Sequence, residues 1–447
     1  MIQHHDRLFA CGLHAASLEA PFAVISGEVI SRSQFFQEAQ HQGPLDGSCL
    51  EVVNLQEEPY PFAVNLLGAW FMGKRVLLPP DRSPQGLEAL KKVFRDRRVL
   101  IEREIQDLPI GAPLHPLDGG FILPAVDQEV LVAFTSGSTG QPNPHVKTFG
   151  MLWHSACLID DFLGGVHGTT MVSTVPQQHM YGLELSVLLP LFCGAVLAAT
   201  KPFYPADIIT ALDQVQRPRA LVSTPLHLKI LLDSGLSMPP IDFMVSATAP
   251  LDHRLAVSLE HSFKAPIYEV YGCTEAGSLA GRRPTHGSPW RWFKGVHAHR
   301  AGGEYFVEAD HLPKRVPLPD DITVIDPRHF SLEGRRSDVI NIAGKRHSLS
   351  GLEAHFLAIE GVNEVALWIP PEGPEGGVQR VIAFVVADDT LSNQAIIEAL
   401  RGCVDPVFLP RGLYRIDRLP RNATGKIPLA ALRALLDDQP TVFEGSL

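Results

Sequence analysis

The sequence predicts an α/β protein with two domains. The first, residues 1–336, is a large N-terminal domain of doubly wound, mostly parallel sheets with a small antiparallel β region. The second, residues 337–447, is a small, mobile α+β domain. Three observations lead to this prediction. Short apolar runs alternate with segments of helical period from about residue 49, which is typical of βαβ units. The stretch Gly302 to Ile325 changes to Pro, Gly and alternating strand-like residues. A chain of 447 residues, 45% of them hydrophobic, is also long enough for more than one core.

In the N-terminal domain the apolar runs predict strands and the periodic segments between them predict helices. The predicted strands are Leu50–Val53, Arg75–Leu78, Val99–Ile101, Thr170–Val175, Ala195–Ala199, Ala220–Ser223, Phe243–Ser246 and Ile267–Val270. The predicted helices are Pro61–Phe71, Gln85–Phe94, Pro205–Val215 and Leu251–Phe263. Ligands of such sheets bind at the carboxyl ends of the strands, so the loops near Thr135, Ser246 and Tyr271 are expected at the site.

The C-terminal domain is expected to mix strands and helices in a shorter pattern. The predicted elements are the strand Val339–Ile342, the helix Leu352–Ile359, the strands Glu364–Ile369 and Arg380–Val386, the helix Asn393–Arg401, a loop containing Lys426 and a last helix.

Composition excludes several classes of function. The formal net charge of −11 argues against nucleic acid as a principal partner. The six cysteines are scattered without a CxxC pair, which predicts reduced thiols and neither a disulfide framework nor a zinc site. No stretch has the ~20 apolar residues that would span a bilayer, and no signal sequence is recognisable. We therefore expect a cytoplasmic protein.

The most informative segment follows the apolar run Val130–Phe134. Its hydroxyl and glycine residues are suited to present backbone N–H groups and side-chain hydroxyls to a phosphate chain; they are Thr135, Ser136, Gly137, Ser138, Thr139 and Gly140. We call residues 135–140 the phosphate loop. Lys147-Thr148 also suggests the P-loop of nucleotide triphosphatases, but the glycine required before the lysine is absent.

Three further motifs follow in order: Tyr271-Gly272-Cys273-Thr274-Glu275, Gly334-Arg335-Arg336-Ser337-Asp338, and Pro420-Arg421-Asn422-Ala423-Thr424-Gly425-Lys426. Together with the phosphate loop they resemble the motif series of the adenylate-forming superfamily, which comprises acyl- and aryl-CoA synthetases, adenylation domains of peptide synthetases, and luciferases. The resemblance extends from about residue 130 to the C-terminus. It implies ATP and Mg²⁺ as cofactors.

The resemblance also implies roles for the nucleotide-binding residues. The phosphate loop would hold the β- and γ-phosphates, Tyr271 would stack on adenine beside Gly272, Thr274 would contact the α-phosphate, and Glu275 would hold Mg²⁺. Asp320, with Asp321 as the rival candidate, would bind the ribose hydroxyls, and Arg335 would contact ribose or phosphate. The family usually has a lysine directly after the loop's proline, where this chain has Asn143, so Lys147 is left as a candidate replacement.

The remaining assignments concern the acid and the small domain. His179 matches a family histidine near the acyl pocket, and the other residues predicted to line it are Tyr181, Gly182, Leu183, Ser246, Ala247 and Thr248. Lys426 would enter from the small domain and bridge the carboxylate and the α-phosphate during adenylation. Ser337 occupies the hinge position, where Asp or Lys is usual.

These roles imply a two-step ligase that makes an acyl-adenylate and then loads a phosphopantetheine thiol of an acyl carrier protein or CoA. The compact chain and its loop variant resemble bacterial ligases of aryl-polyene and xanthomonadin pigment pathways, which favours a hydroxybenzoate-like acid and slightly favours a carrier protein. Basic residues near Arg282 and Arg283 would suit either acceptor. A medium- or long-chain fatty acid is the alternative substrate. A non-catalytic nucleotide or acyl-adenylate-binding protein is the alternative from another class.

Overall fold

The computed structural model describes residues 18–41, 50–79, 99–101, 123–136, 142–335, 339–342, 345–370, 380–421, 427 and 429–437. The chain divides into two compact units: Met1–Ala298 with Val307–Val316, and His299–Phe306 with Pro317–Leu447. This division falls earlier along the chain than the predicted boundary between residues 336 and 337, and that boundary stays a prediction.

The strands of the first unit form two sheets. They are β1 Pro21–Ile25, β2 Glu28–Ser31, β3 Glu51–Val53, β4 Arg75–Leu78, β5 Val99–Ile101, β6 Glu129–Ser136, β7 Pro142–Thr148, β8 Thr170–Ser173, β9 Val196–Ala198, β10 Arg219–Ser223, β11 Phe243–Ser246, β12 Ile267–Cys273, β13 Gly277–Arg282 and β14 Trp290–Trp292. One sheet has the order β5-β3-β4-β6-β7, and the other runs β14-β13-β12-β11-β10-β8-β9-β1-β2. Strands β8 to β12 pair in parallel, whereas β13 and β14 pair antiparallel at one side.

The helices of the first unit connect these strands. They are α1 Arg32–Gln40, α2 Pro59–Phe71, α3 Phe149–Leu163, α4 Met180–Leu183, α5 Leu189–Cys193, α6 Pro205–Asp213, α7 Pro225–Asp233 and α8 His253–Phe263, with a π-helix over Glu184–Leu188. Side-chain oxygens cap several N-termini: Thr148 accepts from the Met151 N–H, Thr224 from the His227 N–H, and Asp252 from the Leu255 N–H. Leu221 and Met244 of the sheet and Leu212, Leu228 and Leu259 of the helices share one buried apolar cluster.

A further sheet has the order β15-β16-β17 and is formed by β15 His297–Ala301, β16 Glu304–Glu308 and β17 Val316–Pro317. The second unit continues with β18 Asp320–Asp326, β19 His329–Arg335, β20 Val339–Ile342, β21 Lys345–Ser348, α9 Leu349–Leu357, β22 Val362–Trp368, β23 Ile382–Ala387, α10 Asn393–Arg401, β24 Gly412–Arg415 and α11 Leu429–Asp437. The sheet β22-β23-β24 buries Val365, Val385 and Leu413 against helices α9 and α10.

The predicted α/β class is confirmed, with a large N-terminal part and a smaller C-terminal part. The antiparallel region expected between Gly302 and Ile325 contains β16 to β18, and β18 pairs antiparallel with β19. Sequence reasoning missed the hairpin β1–β2, which joins the large sheet beside β9. The helix predicted at Gln85–Phe94 lies outside the described residues. In the part of the chain that is described, no helix is long and apolar enough to cross a membrane.

Candidate functional site

Several predicted site residues meet at one edge of the large sheet. Ser246 ends β11, Cys273 ends β12, and residues 174–179 follow the end of β8. These strands are parallel, with Ser223 opposite Ser246 and Ser246 opposite Glu269. The fold therefore brings the loop after β8 (residues 174–179), Ser246 and the turn of residues 274–276, which we call the β12 turn, to the carboxyl ends of neighbouring strands.

The two strands on either side of the phosphate loop, β6 and β7, pair antiparallel. Strand β6 ends at Ser136 and β7 begins at Pro142, and these two residues are opposite each other in the register, as are Thr135 and Asn143. Thr135 and Ser136 are thus at the end of β6. Gly137, Ser138, Thr139 and Gly140 lie outside the described residues, and their role stays a prediction.

Strand β7, the second strand of this antiparallel pair, contacts the β12 turn. His145 Nε2 lies 3.6 Å from Oε1 of Glu275, whose side chain is 34% exposed. Burial lowers the pKa of His145, with Glu275 opposing the shift, so the imidazole is mainly neutral at pH 7. His145 is three residues from Pro142, about 10 Å along a strand. Strand β7 therefore leads from the base of the phosphate loop to the Glu275 carboxylate.

Lys147 extends into the protein interior below the β12 turn. Its side chain is buried, with 1% of the residue exposed, and Nζ donates a hydrogen bond to the Glu275 backbone carbonyl at 2.5 Å. Burial lowers the pKa of Lys147 to about 8, against the opposing effect of Cys273, Glu184 and Glu275. The ammonium group therefore contacts protein atoms directly below the β12 turn.

Tyr271 and Gly272 stand at the end of β12, before the turn. The Tyr271 ring is buried and packs at a tilt on Trp290, with 5.7 Å between ring centroids. A Cβ at Gly272 would lie 2.3 Å from the Gly277 carbonyl oxygen, so only glycine fits this close approach of β12 and β13. Thr274 follows in the turn and is half-buried. Contact of Tyr271 with adenine and of Thr274 with phosphate stays a prediction.

The predicted acid-binding residues after β8 form a tightly packed segment. His179 is half-buried and precedes α4. The Tyr181 hydroxyl lies 2.8 Å from the Val245 carbonyl oxygen and 3.1 Å from that of Ser223. Leu183 is fully buried, and a Cβ at Gly182 would lie 2.2 Å from the Pro176 carbonyl oxygen. The Tyr181 hydroxyl therefore contacts the backbone of β10 and β11, and its role in binding the acid stays a prediction.

The segment after β11 offers a different kind of group. Ser246 is fully buried and its Oγ has no hydrogen-bond partner in the structure. Ala247 is buried, while Thr248 is exposed and has a left-handed backbone with φ of 79°. Because Ser246 is 0% exposed, its hydroxyl is not open to a ligand in this structure, and its role at the acid site stays a prediction.

Other predicted site residues lie in the second unit. Asp320 is buried and is opposite Arg335 in the β18–β19 register, while the half-buried Asp321 is opposite Gly334. Their roles at the ribose stay predictions. Ser337 and Lys426 lie outside the described residues, so the hinge and the catalytic lysine also stay predictions.

Sequence reasoning missed two residues beneath the β12 turn. Glu184, in the π-helix, is buried; it accepts hydrogen bonds from Ser155 Oγ, from Ser278 N at 3.1 Å and from Ser278 Oγ at 2.6 Å. His311 stacks on His154 with 6.1 Å between ring centroids. A single acidic residue inside the largely apolar run of residues 180–192 was a usable signal for Glu184, because a carboxylate in such a run is usually buried and paired. The sequence around His311 carries no such signal.

Arg282 and Arg283 both form ion pairs with glutamates of the same chain. Arg282 pairs at 2.6 Å with Glu269, whose side chain is 2% exposed, and Arg283 pairs at 2.9 Å with Glu260. These contacts do not support the interpretation of the two arginines as free charges that dock an acidic acceptor.

Two family models match the chain. The model described as AMP-binding enzyme matches residues 88–298, and the model of the AMP-binding enzyme C-terminal domain matches residues 351–426. Together they cover most of the chain, including the phosphate loop, the β12 turn and Lys426.

Curated relatives and solved structures agree with these models. The 4-coumarate–CoA ligase of Halorhodospira halophila is 28% identical over 303 residues, which are 66% of this chain and 73% of that protein. The 3-hydroxybenzoate–CoA/4-hydroxybenzoate–CoA ligase of Thauera aromatica is 26% identical over 354 residues, 70% of this chain and 67% of that protein. The fold is similar to ATP-bound MatB from Rhodopseudomonas palustris, with a TM-score of 0.78 and 18% identity over 97% of this chain and 99% of that one. It is also similar to the AMP complex of O-succinylbenzoate coenzyme A synthetase from Bacillus subtilis, with a TM-score of 0.76 and 16% identity over 97% and 98%.

Proposed function

Since this chain belongs to the family of AMP-binding enzymes within the adenylate-forming superfamily, and is an AMP-forming acid–thiol ligase, we propose that it activates a hydroxybenzoate-like aromatic acid and transfers the acyl group to CoA. The observation that carries the assignment of the site is the contact between β7, which leads from the phosphate loop, and Glu275 in the β12 turn.

The first step couples the acid to AMP. A carboxylate oxygen attacks the α-phosphorus of ATP, the bond to pyrophosphate breaks, and an acyl-adenylate forms. The phosphate loop would hold the β- and γ-phosphates, Thr274 the α-phosphate, Tyr271 the adenine, and Asp320 and Arg335 the ribose. Lys426 would place a cation where the carboxylate and α-phosphate converge, which is where charge stabilisation lowers the barrier.

The residues present fit a magnesium ion. The Glu275 carboxylate is partly exposed in the β12 turn, and Mg²⁺ is usually bound by one or two carboxylates together with substrate phosphates and water. Among the described residues no group of three or more His, Cys, Asp or Glu side chains could hold a metal, so the phosphates would provide most of the ligands. Bound Mg²⁺ neutralises charge on the phosphates during transfer.

In the second step a thiol replaces AMP. The sulfur attacks the acyl carbon, the bond to AMP breaks, and the thiol proton is lost to solvent or a base. The relatives described above are CoA ligases, which supports CoA as the acceptor. A carrier protein remains the second candidate because the loop variant of this chain resembles that of pigment-pathway ligases. Ser337 would provide the hinge for the change of domain position between the steps.

The choice of an aromatic acid is supported by the relatives and by the half-buried His179, a polar group among the apolar residues of the predicted pocket. A pyrophosphate-release assay over benzoates, hydroxybenzoates, cinnamates and C8–C16 fatty acids tests this choice. We expect the highest kcat/KM for a hydroxylated aromatic acid. A higher value for any fatty acid would reverse the substrate assignment.

The matching test of the mechanism uses Lys426→Ala. We expect pyrophosphate release to fall by at least ~10²-fold, the scale of losing one principal charge stabiliser. Thioester formation from preformed acyl-adenylate should be largely retained. Comparing free CoA with holo-carrier proteins in that second assay identifies the acceptor.

A further inference from the structure

Lys147 occupies a position where a lysine is costly. It lies on the edge strand β7 opposite Leu131, and 1% of the residue is exposed. Taking an ammonium group out of water is expensive unless its charge is balanced and its protons are hydrogen-bonded. Its Nζ donates to the Glu275 carbonyl oxygen, which belongs to the residue predicted to bind the metal.

Glu184 is one group whose charge attracts that of Lys147, beside Cys273 and Glu275. Burial raises the pKa of Glu184, while its hydrogen bonds and Lys147 oppose that shift. This buried carboxylate interacts electrostatically with Lys147 and accepts hydrogen bonds from Ser278, the second residue of β13. Gly277 has a left-handed φ of 83°, and a Cβ there would lie 2.9 Å from Glu184 Oε1. The carboxylate therefore sits tightly against the start of β13.

The β12 turn is thus held on both sides. Lys147 holds the carbonyl of Glu275 within the turn, and Glu184 holds the backbone and side chain of Ser278 just after it. Fixing the Glu275 carbonyl restricts the backbone that orients both the Glu275 carboxylate and the Thr274 hydroxyl. Small errors in such orientation reduce rates strongly.

We propose that Lys147 is a positioning residue: balanced by Glu184, it orients the β12 turn toward magnesium-bound ATP and does not itself bind the triphosphate. This proposal rests on the proposed function, in which Glu275 holds Mg²⁺. The proposal also explains why this chain has a lysine at position 147 and has Asn143, not lysine, directly after Pro142.

The test measures nucleotide binding without turnover. The variants are Lys147→Met, Glu275→Gln and the two combined, with Lys229→Met as a matched control, since Lys229 forms an exposed ion pair with Asp233. Calorimetry follows binding of an ATP analogue with a methylene bridge between the α- and β-phosphates, in Mg²⁺ and in EDTA, and binding of AMP. We expect Lys147→Met to weaken analogue binding about tenfold in Mg²⁺ and less than about twofold in EDTA, with AMP binding unchanged. The combined variant should bind no more weakly than Glu275→Gln.

Other outcomes would overturn the proposal. Equal weakening of analogue binding in Mg²⁺ and EDTA means that Lys147 contacts the phosphates directly. Additive losses in the combined variant mean that Lys147 does not act through Glu275, and unchanged binding in Lys147→Met means that it positions nothing. If Glu275→Gln alone leaves Mg²⁺-dependent binding intact, the metal role in the proposed function has failed, which is distinguishable from failure at Lys147. If Lys147→Met does not fold, Lys147→Met with Glu184→Gln removes both charges, and Glu184→Gln alone measures the part of the change that comes from the Ser278 contacts.

Discussion

Two regions at the carboxyl edge of the large sheet are held in place by different contacts. Below the β12 turn the backbone is held by buried charged groups, Lys147 and Glu184. In the segment after β8, a neutral group holds the chain in place: the Tyr181 hydroxyl donates to backbone carbonyls of β10 and β11. Buried charges generally cost stability, whereas a neutral hydrogen bond contributes modestly to it. The comparison suggests that the nucleotide side is built for orientation at the expense of stability, and the acid side for packing.

The largest expected effect is on the nucleotide side. Glu275→Gln removes the carboxylate charge but keeps its size, so pyrophosphate release should fall by about 10²- to 10³-fold, as for loss of one transition-state stabiliser. Glu308→Gln is the control, because Glu308 forms an exposed pair with Arg315. The assay is initial-rate pyrophosphate release at saturating acid. If pyrophosphate release falls by less than about tenfold, the Glu275 carboxylate is not essential to catalysis and the nucleotide side is not built around its orientation.

The claim that the buried charges below the β12 turn cost stability is tested by removing them. Lys147→Met alone leaves Glu184 buried without its cation, and should lower the unfolding free energy by about 3 kcal/mol. Lys147→Met with Glu184→Gln leaves no unbalanced charge and should return to within about 1 kcal/mol of the wild type or exceed it. Denaturant unfolding of the variants and wild type provides the values. A pair variant as unstable as Lys147→Met would show that the charges contribute net stability.

A pH dependence should come from His311. Burial, then His154 and Lys147, lower the pKa of His311 to about 4, with Asp310 and the Ala276 backbone opposing the shift. The unfolded chain takes up this proton below about pH 6.5, while the folded protein does not until about pH 4, so stability falls as pH falls through that window.

His311→Asn keeps a donor and removes the titration. The unfolding free energy of the variant minus that of the wild type should therefore increase as the pH is lowered from 6.5 to 4, by up to about 3 kcal/mol. Thermal unfolding at pH 7.5, 5.5 and 4.5 measures the trend. Parallel pH profiles for the two proteins would place the acid sensitivity elsewhere.

The sequence predicted the strands and the order of the motifs well, because alternating apolar runs and glycine-rich turns are local signals. Phe243–Ser246 and Asn393–Arg401 have the predicted bounds. It could not show that Lys147 contacts the Glu275 carbonyl, since the two residues are 128 positions apart. The use of the Tyr181 hydroxyl and the buried pairing of Arg282 also depend on strands that come together only in the fold. Local pattern predicted which residues belong to the site, and the tertiary contacts show which protein groups several of them contact.

The smallest expected effect tests the acid side. Tyr181→Phe removes the hydroxyl that lies near the Val245 and Ser223 carbonyl oxygens, but keeps the buried ring. Losing one such neutral hydrogen bond should cost about 1 kcal/mol of unfolding free energy. Because the hydroxyl is occupied by the backbone, the relative kcat/KM values for hydroxylated and unhydroxylated benzoates should change by less than about threefold, under 1 kcal/mol of discrimination. Loss of the preference for the hydroxylated acid, at unchanged stability, would instead make Tyr181 a substrate contact. The two regions would then differ less than their contacts indicate.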